Sequence, residues 1–342
     1  MTQEADLVFA LETFEKAKRT FLPGSVPHLQ ELFQPALARL DALLADAYIP
    51  DCGAREFRIR EAAGNCAAAL RLAVSSGSLH ESLGNFQRAS RRICRALESI
   101  YDLCPGYAAI NRYFLEPQSR QRDKEFIVPE PVPGGGLYKI GLERDPYARG
   151  GIAVYVPENL DRFRPAPLVI ALHGGGGHGR DFVWEWLREA RSRRFLLVAP
   201  ASTGPTWAIL GEDGDAVLMR NVLELMKERW NADPGRVLLT GMSDGATYAL
   251  KRAMDEDTPF TAFAPVAGVL PPFDLRNVKG RRFFWVHGRK DWMFPVFYAV
   301  SGAKNLQAAG ADVTLNVVED LYHAYPREWN AAILDWFFAG CP

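Results

Sequence analysis

The chain has 342 residues, 48% hydrophobic and 24% charged, an ordinary globular composition that can support a sizeable core in one large or two smaller domains. Its formal net charge of -1 gives no electrostatic reason to expect nucleic acid or an anionic membrane as partner. The five cysteines, at 52, 66, 94, 104 and 341, are an odd set without a CxxC pair, which argues against a zinc site and against a complete disulfide framework.

The first stretch, "MTQEADLVFALETFEKAKRT", mixes charged and apolar residues and lacks the unbroken apolar core of a signal peptide. Nothing further along reads as a spanning helix, so a cytoplasmic location without stable membrane insertion is the expectation. Up to about Glu125 the chain reads as helices. Leu7, Leu11 and Phe14 recur at helical spacing, as do Leu29, Leu32, Leu37, Leu40 and Leu44, with Pro35 expected to kink or interrupt that run. Leu79, Leu83, Phe86, Ile93, Leu97 and Ile100 form a third stripe. A helical bundle is therefore predicted over 1–125, serving as a cap, a homo-oligomer interface or a partner-binding module. Arg88, Arg91, Arg92 and Arg95 read as a solvated helix face sooner than as a grip for an anion. The segment "VPEPVPGGG" lies in a linker placed at 126–136.

From 137 to 342 the pattern changes. Strand-like runs follow one another: "LYKIGLE", "GIAVYVP", "PLVIALH", "FLLVAP", "RVLLTG", "FAPVAG", "RFFWVHG" and "VTLNVVE". Helical stretches such as "DAVLMRNVLELMKERW" separate the later ones. Fully apolar strands alternating with helices predict an α/β domain with a mostly parallel, doubly wound sheet. The first two runs are joined only by "RDPYARG" and predict an antiparallel hairpin at one edge.

Ligands of such sheets bind beyond the carboxyl ends of the strands. Four of these ends carry chemistry. His173-Gly174-Gly175-Gly176-Gly177-His178-Gly179 follows "PLVIAL", and Gly241-Met242-Ser243-Asp244-Gly245 follows "VLLT". His287-Gly288-Arg289-Lys290-Asp291-Trp292 follows "FFWV", and Asp320-Leu321-Tyr322-His323 follows "TLNVVE". The glycine loop formally matches G-x-G-x-x-G through Gly174, Gly176 and Gly179. However, the next strand ends in Ala201-Ser202-Thr203 without the acid that would bind a ribose. It also falls short of a P-loop, with Arg180-Asp181 in place of Lys-Ser/Thr. Exposed backbone N–H groups aimed at an oxyanion suit it better than a nucleotide.

The stretches "PLVIALHGGGG", "DPGRVLLTGMSDGA", "HGRKDWMFPV" and "YHAYPREWNAAILDWF" resemble the α/β-hydrolase superfamily. The resemblance is greatest to its branch of carboxylesterases, acyl-protein thioesterases, dienelactone hydrolases and polyhydroxybutyrate-depolymerase-like esterases. It covers about 137–342 and leaves the helical region unaccounted for. It implies Ser243 as nucleophile, His323 as general base and Asp291 as the carboxylate that orients the imidazole. Asp244, Glu319 and Asp320 are the rival acids. The implied oxyanion donors are the N–H of Asp244 and one from Gly174, Gly175 or Gly176, with Gly175 preferred. No metal and no cofactor are implied.

His173 and His287 read as structural. His178, Trp207, Trp292, Phe294 and Tyr322 are candidates for the lining of a substrate pocket. No long insertion before Asp291 reads as a large lid, which favours small to medium carboxylic esters, aryl esters included, cleaved through an acyl-enzyme. A thioesterase, lysophospholipase or peptidase would use the same groups. A hydrolase fold that only binds its ligand, with the helices recruiting a partner, is the reading from another class.

Overall fold

The structure, a computed structural model, describes residues 2–45, 53–75, 78–128 and 134–340. Cys52, Cys341 and residues 129–133 of the expected linker lie outside them. The chain divides into two compact units, Met1–Pro129 and Glu130–Pro342.

The first unit is helical: α1 (Gln3–Arg19), α2 (Val26–Ala45), α3 (Ala54–Ala73), α4 (Leu79–Ile100) and the short α5 (Ala108–Tyr113). Its core is aromatic where three helices meet. Phe14 of α1 stacks on Phe33 of α2 and Phe86 of α4, with centroids 6.2 and 5.3 Å apart. A capping box starts α4: Ser78 Oγ accepts from the Glu81 N–H at 3.2 Å, and the Glu81 carboxylate accepts from the Ser78 N–H at 2.7 Å.

Three expectations need correction here. Helix α2 continues through Pro35, because the missing N–H costs one hydrogen bond while Phe33 and Ala36 on either side are fully buried. The buried face of α2 is Leu29, Phe33, Ala36, Leu40 and Leu43, so Leu32, Leu37 and Leu44 flank the core and do not form it. Leu79 stands 67% exposed, since it sits directly after the cap and outside the stripe that Phe86, Ile93, Leu97 and Ile100 bury. Arg88, Arg91 and Arg92 are exposed, and Arg95 pairs with Glu98 at 3.3 Å.

The second unit runs β1 (Gly136–Ile140), β2 (Ile152–Val156), β3 (Ala166–Leu172), α6 (Gly179–Phe182), α7 (Leu187–Arg193), β4 (Leu196–Pro200), α8 (Gly214–Trp230), β5 (Ala232–Met242) and α9 (Asp244–Arg252). It continues with β6 (Ala262–Val266), β7 (Arg282–Gly288), α10 (Val296–Ala308), β8 (Asp312–Val318) and α11 (Asn330–Ala339). The eight strands form one sheet in the order β1-β2-β4-β3-β5-β6-β7-β8. Pairings β1–β2 and β2–β4 are antiparallel and the remainder are parallel. The mostly parallel sheet with a hairpin at one edge, preceded by a helical region, is thus what the sequence pattern led us to expect. Every residue of β2, β4 and β6 is buried, which is why these strands lack an alternating polar face. Ile170, Val198, Leu239, Phe263, Phe283 and Trp285 belong to one continuous core. Among the described residues no helix is long and apolar enough to cross a membrane.

Candidate active site

β5 lies between β3 and β6 near the middle of the sheet, so whatever follows it emerges at the centre of the carboxyl edge. There the chain turns at once from strand into α9, through Ser243 at φ 54 and ψ -118. Such a backbone is strained for a residue with a Cβ, and it persists because its surroundings over-determine it. The Ser243 N–H donates to the Val266 carbonyl at 2.9 Å, and the Ser243 carbonyl accepts the Thr247 N–H at 2.9 Å. The flanking glycines are required by close approach. A Cβ on Gly241 would come within 2.6 Å of the Gly245 carbonyl carbon, and one on Gly245 within 2.5 Å of the His173 oxygen. Any larger residue at either position would push α9 off the sheet.

The structure brings Ser243, His323 and Asp291 together from three strand ends. His323 Nε2 lies 3.1 Å from Ser243 Oγ, and its Nδ1 lies 3.0 and 2.9 Å from the two Asp291 carboxylate oxygens. A carboxylate only accepts, so Nδ1 carries the imidazole proton and Nε2 is free to accept from the serine hydroxyl. The Asp291 side chain is fully buried, and its Oδ1 also accepts the N–H groups of Met293 (3.0 Å) and Phe294 (2.7 Å). Of the rival acids, Glu319 pairs with Arg289 at 2.9 Å, and Asp244 accepts from the Thr206 hydroxyl at 2.6 Å. Neither is the carboxylate that faces His323.

The glycine loop after β3 passes beside the serine. A Cβ on Gly174 would stand 3.5 Å from Ser243 Cβ, and one on Gly175 would collide with the Asp244 carboxylate at 2.6 Å. The Gly176 N–H donates to the Pro205 carbonyl at 3.3 Å and so is already engaged. The Asp244 N–H opens α9 and has no acceptor within the helix.

The expected pocket residues separate into two groups. Phe294 and Trp292 present their rings to the His323 imidazole at centroid distances of 5.3 and 5.9 Å. Tyr322 is half-buried next to His323, with the Lys290 ammonium 5.7 Å from its ring. Trp207 and His178, in contrast, are built into the scaffold. Trp207 is buried, stacks on Tyr248 and donates its indole N–H to the His173 carbonyl at 2.7 Å. His178 caps α6 by accepting the Arg180 N–H at 3.1 Å, while its other ring nitrogen bonds the Ala148 carbonyl at 3.1 Å. Both ring nitrogens are therefore used.

Two residues the sequence reading passed over, Asp215 and Thr206, shape the site. Asp215, fully buried, holds the 203–208 loop by accepting from the Thr203 N–H (2.7 Å), the Thr203 hydroxyl (2.8 Å) and the Ala208 N–H (2.8 Å). That loop delivers Thr206 to Asp244. His287, expected to be structural, is also fully buried behind Asp291. Its Nε2 donates to the Phe294 carbonyl at 2.7 Å and lies 3.5 Å from Asp291 Oδ2, while its Nδ1 has no hydrogen-bond partner among the described residues. Among the described residues no group of three His, Cys, Asp or Glu side chains is arranged to hold a metal ion.

Burial is the main cause that depresses both structural imidazoles, with His173 brought down to about 3 and His287 below its ordinary range. The unfolded chain takes up protons at these positions as the pH falls through ~6.5, and the folded chain does not. Their contribution to stability is thus complete above that pH and is lost as the pH falls toward 3. We expect the urea midpoint to drop steadily below pH ~6.5, as the unfolding free energy falls by up to ~1.4 kcal/mol per pH unit for each imidazole that stays neutral when folded. A midpoint that held constant down to pH ~4.5 would mean that both are charged in the native state.

No family model matches the chain. Part of it is 32% identical over 158 residues to a bifunctional acetylxylan esterase/xylanase of Neocallimastix patriciarum, covering 44% of this chain and 22% of that protein. The chain is also 28% identical over 132 residues to poly(3-hydroxyalkanoate) depolymerase C of Paucimonas lemoignei, covering 33% of this chain and 32% of that protein. The chain therefore spans less than a third of the first relative's length and about a third of the second's. Among solved structures, a thermostable esterase superposes with a TM-score of 0.49 at 18% identity, over 59% of this chain and 62% of the other.

Proposed function

We propose that the C-terminal unit is an α/β-hydrolase, a serine hydrolase cleaving small to medium carboxylic esters through an acyl-enzyme. The observation that carries this reading is the unbroken hydrogen-bonded line from Ser243 Oγ through His323 to Asp291 at a strained elbow. Ser243 attacks the ester carbonyl while His323 Nε2 takes its proton. Asp291 holds the imidazole in the tautomer that can do this and stabilises the imidazolium. The carbonyl oxygen, now negative, is held by the N–H groups of Asp244 and Gly175, and one such donor is typically worth ~3 kcal/mol in the transition state. His323 returns the proton to the leaving alcohol. Water then repeats the sequence on the acyl-serine and releases the acid. All of these residues belong to the second unit, and a role as cap, oligomer interface or partner module stays with the helical unit as a proposal.

The reading is tested on the intact chain. A fluorophosphonate probe should label one serine, which peptide mapping should locate at Ser243. Titration at constant pH should record acid release from methyl butanoate. A chain that neither reacts with the probe nor releases acid from simple methyl esters is a binding protein on a hydrolase scaffold.

A further inference from the structure

We propose that Asp244 is a specificity residue. Its carboxylate selects acyl groups that carry a hydrogen-bond donor, a hydroxyl or an ammonium, near the reacting carbonyl, and it rejects acyl groups with a carboxylate there. The proposal rests on the ester-hydrolase reading and names the substrate class for it.

Asp244 follows the nucleophile directly, and its side chain is half-buried. Its Oδ2 accepts from the Thr206 hydroxyl at 2.6 Å and lies against Gly175, in space that any Cβ at that position would fill. Among the described residues no other hydrogen bond and no cation reaches this carboxylate, which leaves Oδ1 open. Its position is prepared by the scaffold, because Thr206 rides on the loop that Asp215 clamps at both ends.

An unneutralised carboxylate beside the two oxyanion donors opposes the charge that develops in the transition state. A substrate that brings its own donor to Oδ1 removes that penalty. One that brings a second anion adds to it.

The two sides of the site differ in chemistry. On one side Trp292 and Phe294 surround His323 with aromatic rings. On the other stand Gly175, Thr206 and Asp244. The leaving alcohol must face the imidazole that protonates it, so it meets the aromatic side. The carbonyl oxygen is held by the N–H groups on the polar side, and a substituent on the acyl chain close to that carbonyl comes within reach of the Asp244 carboxylate beside them.

Four methyl esters of similar shape separate these effects: butanoate, 3-hydroxypropanoate, 3-aminopropanoate as its ammonium, and succinate as its monoester. Acid release is titrated at pH ~7, and kcat/KM ratios to butanoate are taken within each protein. Taking ratios cancels any general loss, since residue 244 also supplies a backbone donor. In the wild type the hydroxy and amino esters should exceed butanoate about tenfold, and the succinate monoester should fall at least about tenfold below it. A preference for only one of the two donors assigns the class to hydroxyacyl or to aminoacyl esters.

Asp244→Ala should bring all three ratios to within about threefold of unity. Asp244→Asn should keep a preference for the hydroxyl while losing the preference for ammonium and the rejection of carboxylate. Thr206→Val, which frees the carboxylate without changing residue 244, should blunt all ratios and serves if either 244 variant fails to fold. Flat wild-type ratios, or wild-type ratios that persist without the carboxylate, overturn the proposal while probe labelling still supports the hydrolase reading. Absence of both labelling and acid release overturns the two together.

Discussion

Ser243→Ala should lower kcat for methyl butanoate by more than about 10³-fold and leave the thermal midpoint nearly unchanged. The substitution keeps the Cβ, so the backbone strain at φ 54 is the same in both proteins. It keeps the Ser243 N–H bond to Val266 and the carbonyl bond to Thr247, both of which are backbone interactions. Only the hydroxyl and its 3.1 Å contact with His323 are lost, at a cost of about 1 kcal/mol or less. What activity remains comes from the oxyanion donors and substrate binding alone. Loss of fluorophosphonate labelling should accompany loss of turnover. A folded variant that kept more than about a tenth of wild-type kcat would falsify the nucleophile assignment.

The sheet was readable because its strands are apolar runs with few polar interruptions, and the carboxyl ends of β3, β5 and β7 were visible as glycine-containing breaks. The elbow was readable for a related reason. Gly241 and Gly245 sit where backbone and backbone nearly touch, so the packing constraint is written into residue type. The helical unit was less legible. In α3 the buried face is largely Ala62, Ala63, Ala67, Ala69 and Ala73, residues that carry little hydrophobic contrast, and the stripe did not stand out. In α2 the leucines suggested a face that the burial of Phe33, Ala36 and Leu43 rotates away from Leu32, Leu37 and Leu44. Within the site, residue type could suggest aromatic and histidine lining but not the direction of each side chain. Trp207 and His178 satisfy their polar atoms on backbone inside the scaffold, while Trp292 and Phe294 turn toward His323. Asp215 resembled an ordinary acid in the first turn of a helix. Its three hydrogen bonds back to the 203–208 loop depend on a tertiary approach that no local pattern records.

Asp291→Asn should cost about 10⁴-fold in kcat while the protein stays folded, and the reason lies in how the two carboxylate oxygens are used. Oδ1 receives the N–H groups of Met293 and Phe294 at 3.0 and 2.7 Å, and an asparagine can satisfy both only by placing its carbonyl oxygen there. Its NH₂ group then replaces Oδ2, which lies 2.9 Å from His323 Nδ1. The alternative flip would aim the NH₂ at two backbone donors in a buried site and is excluded by that cost. His287 adds no acceptor on the Oδ2 side, because its Nε2–H is directed at the Phe294 carbonyl. The carbonyl oxygen at the Oδ1 position is still 3.0 Å from His323 Nδ1 but already receives two backbone N–H groups, so the NH₂ donor at 2.9 Å favours Nδ1 as acceptor and shifts the ring proton toward Nε2. That nitrogen can then no longer take the proton of Ser243. The fold should survive because the 291–294 turn keeps its backbone hydrogen bonds. Nitrogen NMR of labelled histidine gives a readout that simple loss of structure would not produce. In the wild type the His323 proton should reside on Nδ1, and in the variant on Nε2. If the variant kept the wild-type tautomer and kcat within about tenfold of wild type, another carboxylate would have to orient His323.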